Sequence, residues 1–151
     1  MSENLAKLSV RAREALANAS GKARSSAEVL RVFKRFRKVE EARLRMAHRA
    51  GGSGVGLCEM RSDMIDALLQ HLWQEMLLRD DAAEARQVPI SLVATGGYGR
   101  RHMNPHSDVD MLFLLGGNGT RLPASVAPLV SAFLTTMFDL PAGEWVLAVD
   151  G

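Results

Sequence analysis

The sequence predicts an α+β fold in which helices come first and a small mixed sheet follows. Apolar residues recur at three- and four-residue intervals through most of residues 1–77. Short β-prone runs bounded by glycine or proline begin only near residue 88. The charge balance also reverses at a glycine-rich segment. Residues 1–50 hold 13 basic and 5 acidic side chains, net +8, and residues 51–151 hold 6 and 12, net −6. An apolar share of 47% with 24% charged residues is that of a folded chain.

Leu5, Leu8, Ala12, Leu16 and Ala19 keep helical spacing, and Gly21 offers a stop. Ser25 and Glu28 have the spacing of a capping box. Beyond them Val29, Val32, Phe33, Phe36 and Val39 line one face of a helix running to about Ala50. Residues 1–50 therefore read as a basic helical arm. Residues 51–57, with glycine at 51, 52, 54 and 56, read as a linker. No Gly-Lys-Ser/Thr ending follows, which argues against a phosphate-binding P-loop.

From residue 58 a second unit is expected. Ser62 can cap a helix with Asp63 and Asp66 in its first turn, where the macrodipole favours negative charge. Met64, Ile65, Leu68, Leu69, Leu72, Trp73, Met76 and Leu77 form its packing stripe, with His71 as a surface or hydrogen-bonded residue. Val88–Thr95 predicts a strand, broken by Gly96-Gly97-Tyr98-Gly99, and Val109–Leu115 a second. A helix over about 125–138, interrupted or started late because of Pro128, and a short strand over 145–149 complete the reading.

Several classes are excluded or disfavoured. No run approaches the ~18 apolar residues of a membrane span. The N-terminus lacks the pattern of a secretory signal, and the single Cys58 cannot form an internal disulfide or a cysteine-rich zinc module. A cytoplasmic protein is expected. The basic arm interleaves its charges with an apolar stripe, so a solvated helix face outweighs a nucleic-acid contact, and nucleic acid is not the expected partner.

The stretch 96–110 carries the chemistry. On a strand, side chains at i and i+2 share a face, so Asp108 and Asp110 form a carboxylate pair that repels itself unless a cation lies between. Mg²⁺ prefers oxygen ligands and commonly binds one or two carboxylates plus substrate phosphates. Three glycines in four residues, Gly96, Gly97 and Gly99, let the backbone approach a ligand and turn amides toward phosphate oxygens. Arg100 adds a forked cation, and Ser107 is placed to bond a phosphate or orient the loop. The combination describes metal-assisted nucleotidyl transfer, which asks for at least one further carboxylate.

Gly-Gly, ten residues, then Asp-Val-Asp resembles the signature of the DNA polymerase β nucleotidyltransferase superfamily. The string GGYGRRHMNPHSDVDMLFL, with RSDMIDALLQHLW and SLVAT ahead of it, is similar to the bacterial uridylyltransferases of the nitrogen-regulatory PII protein. The likeness covers about residues 60–115. It implies a partial polymerase-β-like core over 58–151 and transfer of UMP from UTP to a tyrosine of PII. Asp108 and Asp110 match the metal-binding pair, and Gly96 and Gly97 match the nucleotide-loop glycines. The third carboxylate should lie on a later strand, where Asp150 is the candidate.

Two departures accompany the resemblance. His102 stands where the family usually has an acidic residue. The family also continues through an HD hydrolase domain and two ACT domains, for which 151 residues leave no room, so the chain reads as an N-terminal portion with weak or absent turnover by itself. Two alternatives stand beside this reading. One is a small stand-alone nucleotidyltransferase with another acceptor. The other is a remnant, inactive or partner-binding.

Overall fold

A computed structural model describes residues 3–116, 122–140 and 145–150, the last six by backbone alone. The elements are α1 (Glu3–Leu16), α2 (Ser26–Arg49), α3 (Gly54–Leu77), β1 (Ile90–Ala94), the single turn α4 (Gly96–Gly99), β2 (Val109–Leu115), α5 (Ala127–Phe138) and β3 (Trp145–Asp150). The strand order is β1-β2-β3. β1 pairs with β2 antiparallel, and β2 with β3 parallel, so the small sheet is mixed and the α+β expectation holds.

α2 begins as the sequence predicts. Ser25 Oγ accepts the Glu28 amide at 3.3 Å, and the Glu28 carboxylate accepts the Ser25 amide at 3.0 Å. Its buried stripe is Val29, Phe33, Phe36, Glu40 and Leu44, while Val39 is left exposed. Glu40 takes the buried place because Arg11 of α1 meets both its carboxylate oxygens at 2.7 Å, and a buried charge needs such a partner.

The helix expected to start at Ser62 starts at Gly54. Ser53 is its N-cap, its hydroxyl accepting the Gly56 amide at 3.1 Å, so residues 54–57 form the first turn of α3 and the interhelix connection is short. Ser62 lies buried mid-helix and donates to the Cys58 carbonyl at 3.0 Å. Asp63 and Asp66 consequently stand far from the helix N-terminus and gain nothing from its dipole. Glycines at 54 and 56 disguised this start, since their cost in a helix, about 1 kcal/mol each, argued for a loop.

α1 and α2 both pack on α3, and a single apolar core runs from Leu8 to Leu140. The connection between α1 and α2 is tied to α3 through Glu75. This buried carboxylate accepts the Arg24 amide at 2.6 Å, Arg24 Nε at 2.9 Å and Asn18 Nδ2 at 3.0 Å.

β2 alternates cleanly. Val109, Met111 and Phe113 are buried on one face, while Asp110, Leu112 and Leu114 lie on the other, more open face. Phe113 meets Trp73 of α3 and Phe133 of α5 at centroid distances of 5.9 and 5.7 Å, and Trp73 and Phe133 are 5.6 Å apart. This triad locks α3 and α5 over the buried face. Pro128, in the first turn of α5, sits where its missing amide is not needed. Among the described residues no helix is long and apolar enough to cross a membrane.

Candidate active site

The site gathers where β1 ends and β2 begins. The Thr95 amide donates to the Asp110 carbonyl at 3.0 Å, which ties the entry of the glycine turn to the start of β2. The turn then closes on itself. Gly99 donates to the Thr95 carbonyl at 2.6 Å, Arg101 to Tyr98 at 2.9 Å and His102 to Gly97 at 2.9 Å. The amides of Gly97 and Tyr98, at the start of this turn, have no acceptor within it.

Gly96 has φ +57°, in the left-handed region, and a β-carbon there would overlap Asp110 Oδ2 and lie 3.0 Å from its Cγ. The Asp110 carboxylate thus rests against bare backbone, a fit that only glycine permits. Gly99 is also sterically required, since its β-carbon would come within 2.7 Å of the Ala94 carbonyl oxygen. Gly97 has room, with its nearest contact at 3.6 Å. Gly96 and Gly99 therefore carry the geometric demand.

Asp108 is exposed and sits one residue before β2, whereas Asp110 is half-buried on the strand's open face. Ser107 is engaged inside the loop: its Oγ accepts the Asn104 amide at 3.0 Å, and its own amide donates to the Asn104 carbonyl at 3.1 Å. The hydroxyl therefore accepts within the loop, and its own hydrogen is not used in that bond. Arg100 is exposed at the end of the turn. Asp110 is register-paired with Val146, and Asp150 with Leu114. Asp150 thus lies four residues along β3 from Asp110, roughly 13 Å at strand rise. The register does not bring it beside the pair, and its side chain lies outside the described residues. Among the described residues no group of three or more His, Cys, Asp or Glu side chains is placed to hold a metal ion.

Two further residues place the turn. Tyr98 Oη donates to Asp66 Oδ1 at 2.5 Å, and Arg101 Nη2 donates to Asp63 Oδ1 at 2.5 Å. Asp63 and Asp66 stand three residues apart on α3, so one helix face holds two points of the loop. Burial pushes the Asp66 carboxyl up, partly opposed by the Tyr98 hydrogen bond, and burial with the Asp66 charge raises the Tyr98 phenol. Tyr98 consequently stays a donor at neutral pH. The sequence signal for this role was two carboxylates inside an otherwise apolar helix stripe, since buried acids require partners. His71 plays no part here and bonds the Ala67 carbonyl at 2.8 Å.

Carboxylate oxygens are the donor type a divalent cation such as Mg²⁺ takes. Two carboxylates stand at the head of one strand, and the Gly96 backbone leaves the Asp110 carboxylate room at the turn.

A family profile described as glutamate-ammonia ligase adenylyltransferase matches residues 2–128. The chain is also similar to proteins named bifunctional uridylyltransferase/uridylyl-removing enzyme. One from Haemophilus influenzae is 45% identical over 83 residues, covering 55% of this chain and 9% of that protein. One from Pseudomonas putida is 33% identical over 126 residues, covering 82% and 13%. One from Idiomarina loihiensis is 34% identical over 84 residues, covering 56% and 9%. The chain spans about a tenth of the length of these curated relatives. No solved structure matches it.

Proposed function

Since the chain belongs to the glutamate-ammonia ligase adenylyltransferase family of nucleotidyltransferases, we propose that residues 96–110 are the donor-nucleotide and metal site of a nucleotidyl transfer. The observation that carries the reading is the seating of the Asp110 carboxylate against Gly96. Asp108 and Asp110 would hold Mg²⁺, which when bound supplies charge neutralisation on the triphosphate and a fixed orientation for it. Gly96 and Gly97 present backbone to the phosphates, and Arg100 adds a permanent cation with forked donors. Ser107 shapes the loop between turn and strand, and Asp63 and Asp66 position the turn from behind.

The donor proposed is UTP, in keeping with the uridylyltransferase names of the relatives, and the acceptor proposed is a tyrosine of PII, as the resemblance of the 96–114 motif implies. ATP as donor is the second reading, favoured by the adenylyltransferase description of the family profile. The test is equilibrium binding of labelled UTP and ATP to the chain with and without Mg²⁺, for wild type and Asp110→Asn, followed by incubation with PII. Mg²⁺-dependent UTP binding that Asp110→Asn weakens at least tenfold is expected, with ATP binding more weakly. Tighter ATP binding would select the second reading. Nucleotide binding indifferent to Mg²⁺ and to the substitution would remove the assigned role of Asp110.

A further inference from the structure

A groove of about 950 Å³ opens beside the candidate active site, walled by the C-terminal half of α2, the first two turns of α3 and the 102–106 loop. Arg45, His48, Arg49, Arg61, His102 and His106 line it. The one acid among its lining residues, Glu41, is already paired with Arg37 at 3.3 Å. Arg45, Arg49 and Arg61 make no ion pair within 4 Å among the described residues. Arg61 is also half-buried, and Glu41 offsets the lost hydration of its charge only in part, with no ion pair formed within 4 Å among the described residues. A cluster of this kind calls for an anion from outside.

The remainder of the lining says which anion. Val55, 64% exposed, and half-buried Leu57 supply apolar surface beside the arginines. Bare phosphate chains have no use for such surface, whereas a peptide bearing both acidic and apolar side chains engages both. Single-stranded nucleic acid is held largely by stacking on aromatic rings, and no Phe, Tyr or Trp lines the groove. The 102–106 wall runs directly into Ser107 and Asp108, and Cys58 of α3 braces it through Asn104 Oδ1 at 3.3 Å. A segment lying in the groove therefore reaches the edge of the candidate active site.

We propose that this groove docks an acidic, apolar-bearing segment of the acceptor protein and so delivers the acceptor side chain to the nucleotide site. The proposal rests on the nucleotidyl-transfer reading for the identity of its partner, while the docking itself is a property of the groove alone. Fluorescence anisotropy with the 151-residue chain and a labelled peptide of alternating glutamate and leucine tests it. Binding is expected, weakening at least tenfold for the glutamine–leucine counterpart and at least tenfold in the Arg45→Glu/Arg49→Glu double variant. Both positions are exposed, and the Arg45→Gln/Arg49→Gln pair, a milder change, is expected to weaken binding in the same direction.

Asp110→Asn should leave peptide affinity unchanged, and the arginine variants should leave Mg²⁺-dependent UTP binding unchanged. Equal binding of the glutamine peptide would overturn the proposal, as would full affinity in both double variants. Tighter binding of oligothymidylate or inorganic triphosphate than of the glutamate peptide would also overturn it, in favour of a phosphate ligand. Charge-dependent peptide binding without Mg²⁺-dependent nucleotide binding would retain the dock and remove the catalytic reading. The reverse result would do the opposite.

Discussion

The carboxylate of Asp110 occupies the space that a β-carbon on Gly96 would need. Gly96→Ala therefore meets two penalties. Its φ of +57° costs a non-glycine residue about 1–2 kcal/mol, and the Asp110 side chain must swing away. The unfolding free energy read from urea titration is expected to fall by at least that amount. Mg²⁺-dependent nucleotide binding should weaken with it, because the displaced Asp110 carboxylate no longer stands where the cation is proposed to bind. Gly97→Ala is the control: its β-carbon would lie 3.6 Å from the His102 carbonyl, and the stability change should stay within about 0.5 kcal/mol. Equal effects at the two positions would mean that the contact with Asp110 is immaterial.

Much of this arrangement was legible in the sequence. The limits of β2, the Ser25–Glu28 box and the break at Gly96 follow from alternation, capping geometry and glycine spacing, all local properties. The start of α3 was misplaced because Gly54 and Gly56 have poor helix propensity, overridden by the Ser53 cap and by packing against α1 and α2. The partners of Asp63 and Asp66 lie 38 and 32 residues away, beyond any local pattern. Which glycine matters was likewise hidden, since the close approach to Asp110 comes from strand pairing.

The burial of Asp66 beneath Tyr98 gives a pH dependence with a definite sign, which their hydrogen bond only partly offsets. Burial raises the Asp66 carboxyl above its ordinary value of about 3.9, so the folded chain binds this proton more tightly than the unfolded chain. Its contribution to stability is complete below that ordinary value and is lost as pH rises through the raised folded value. Asp66→Asn cannot titrate and keeps an acceptor for Tyr98. Relative to wild type the variant should gain stability between pH 4 and pH 7, read as a widening difference in urea midpoints. A difference constant with pH would show that Asp66 titrates alike in both states.

Arg101 reaches Asp63 from a left-handed backbone position, φ +61°. The Asp63 side chain is 5% exposed and that of Arg101 is 45% exposed, so Arg101→Ala leaves a buried carboxylate without its partner. With half of the arginine in water, the loss should be about 1–3 kcal/mol. Asp63→Asn added to Arg101→Ala should recover part of it, because no unpaired charge then remains buried. Urea unfolding of the two single variants and the double variant closes the cycle. Strict additivity would indicate that the two side chains do not interact in solution.

Glu75 decides whether α1 and α2 act as an independent arm. It accepts the Arg24 amide and guanidinium as well as Asn18 Nδ2, and it is 2% exposed. Arg24 in turn donates to the Leu16 carbonyl at 2.6 Å, so one carboxylate organises the end of α1, the connection and the entry to α2. Removing one member of a buried ion pair costs about 3–5 kcal/mol, a large fraction of the stability of a small domain. Glu75→Ala should therefore lose about 3 kcal/mol, with hydrogen exchange in α1 accelerating first and most. Glu75→Gln should fall between wild type and Glu75→Ala, since the amide oxygen still accepts one of these bonds. A flexibly linked arm would behave otherwise: exchange in α1 would already be fast in the wild type and indifferent to either substitution.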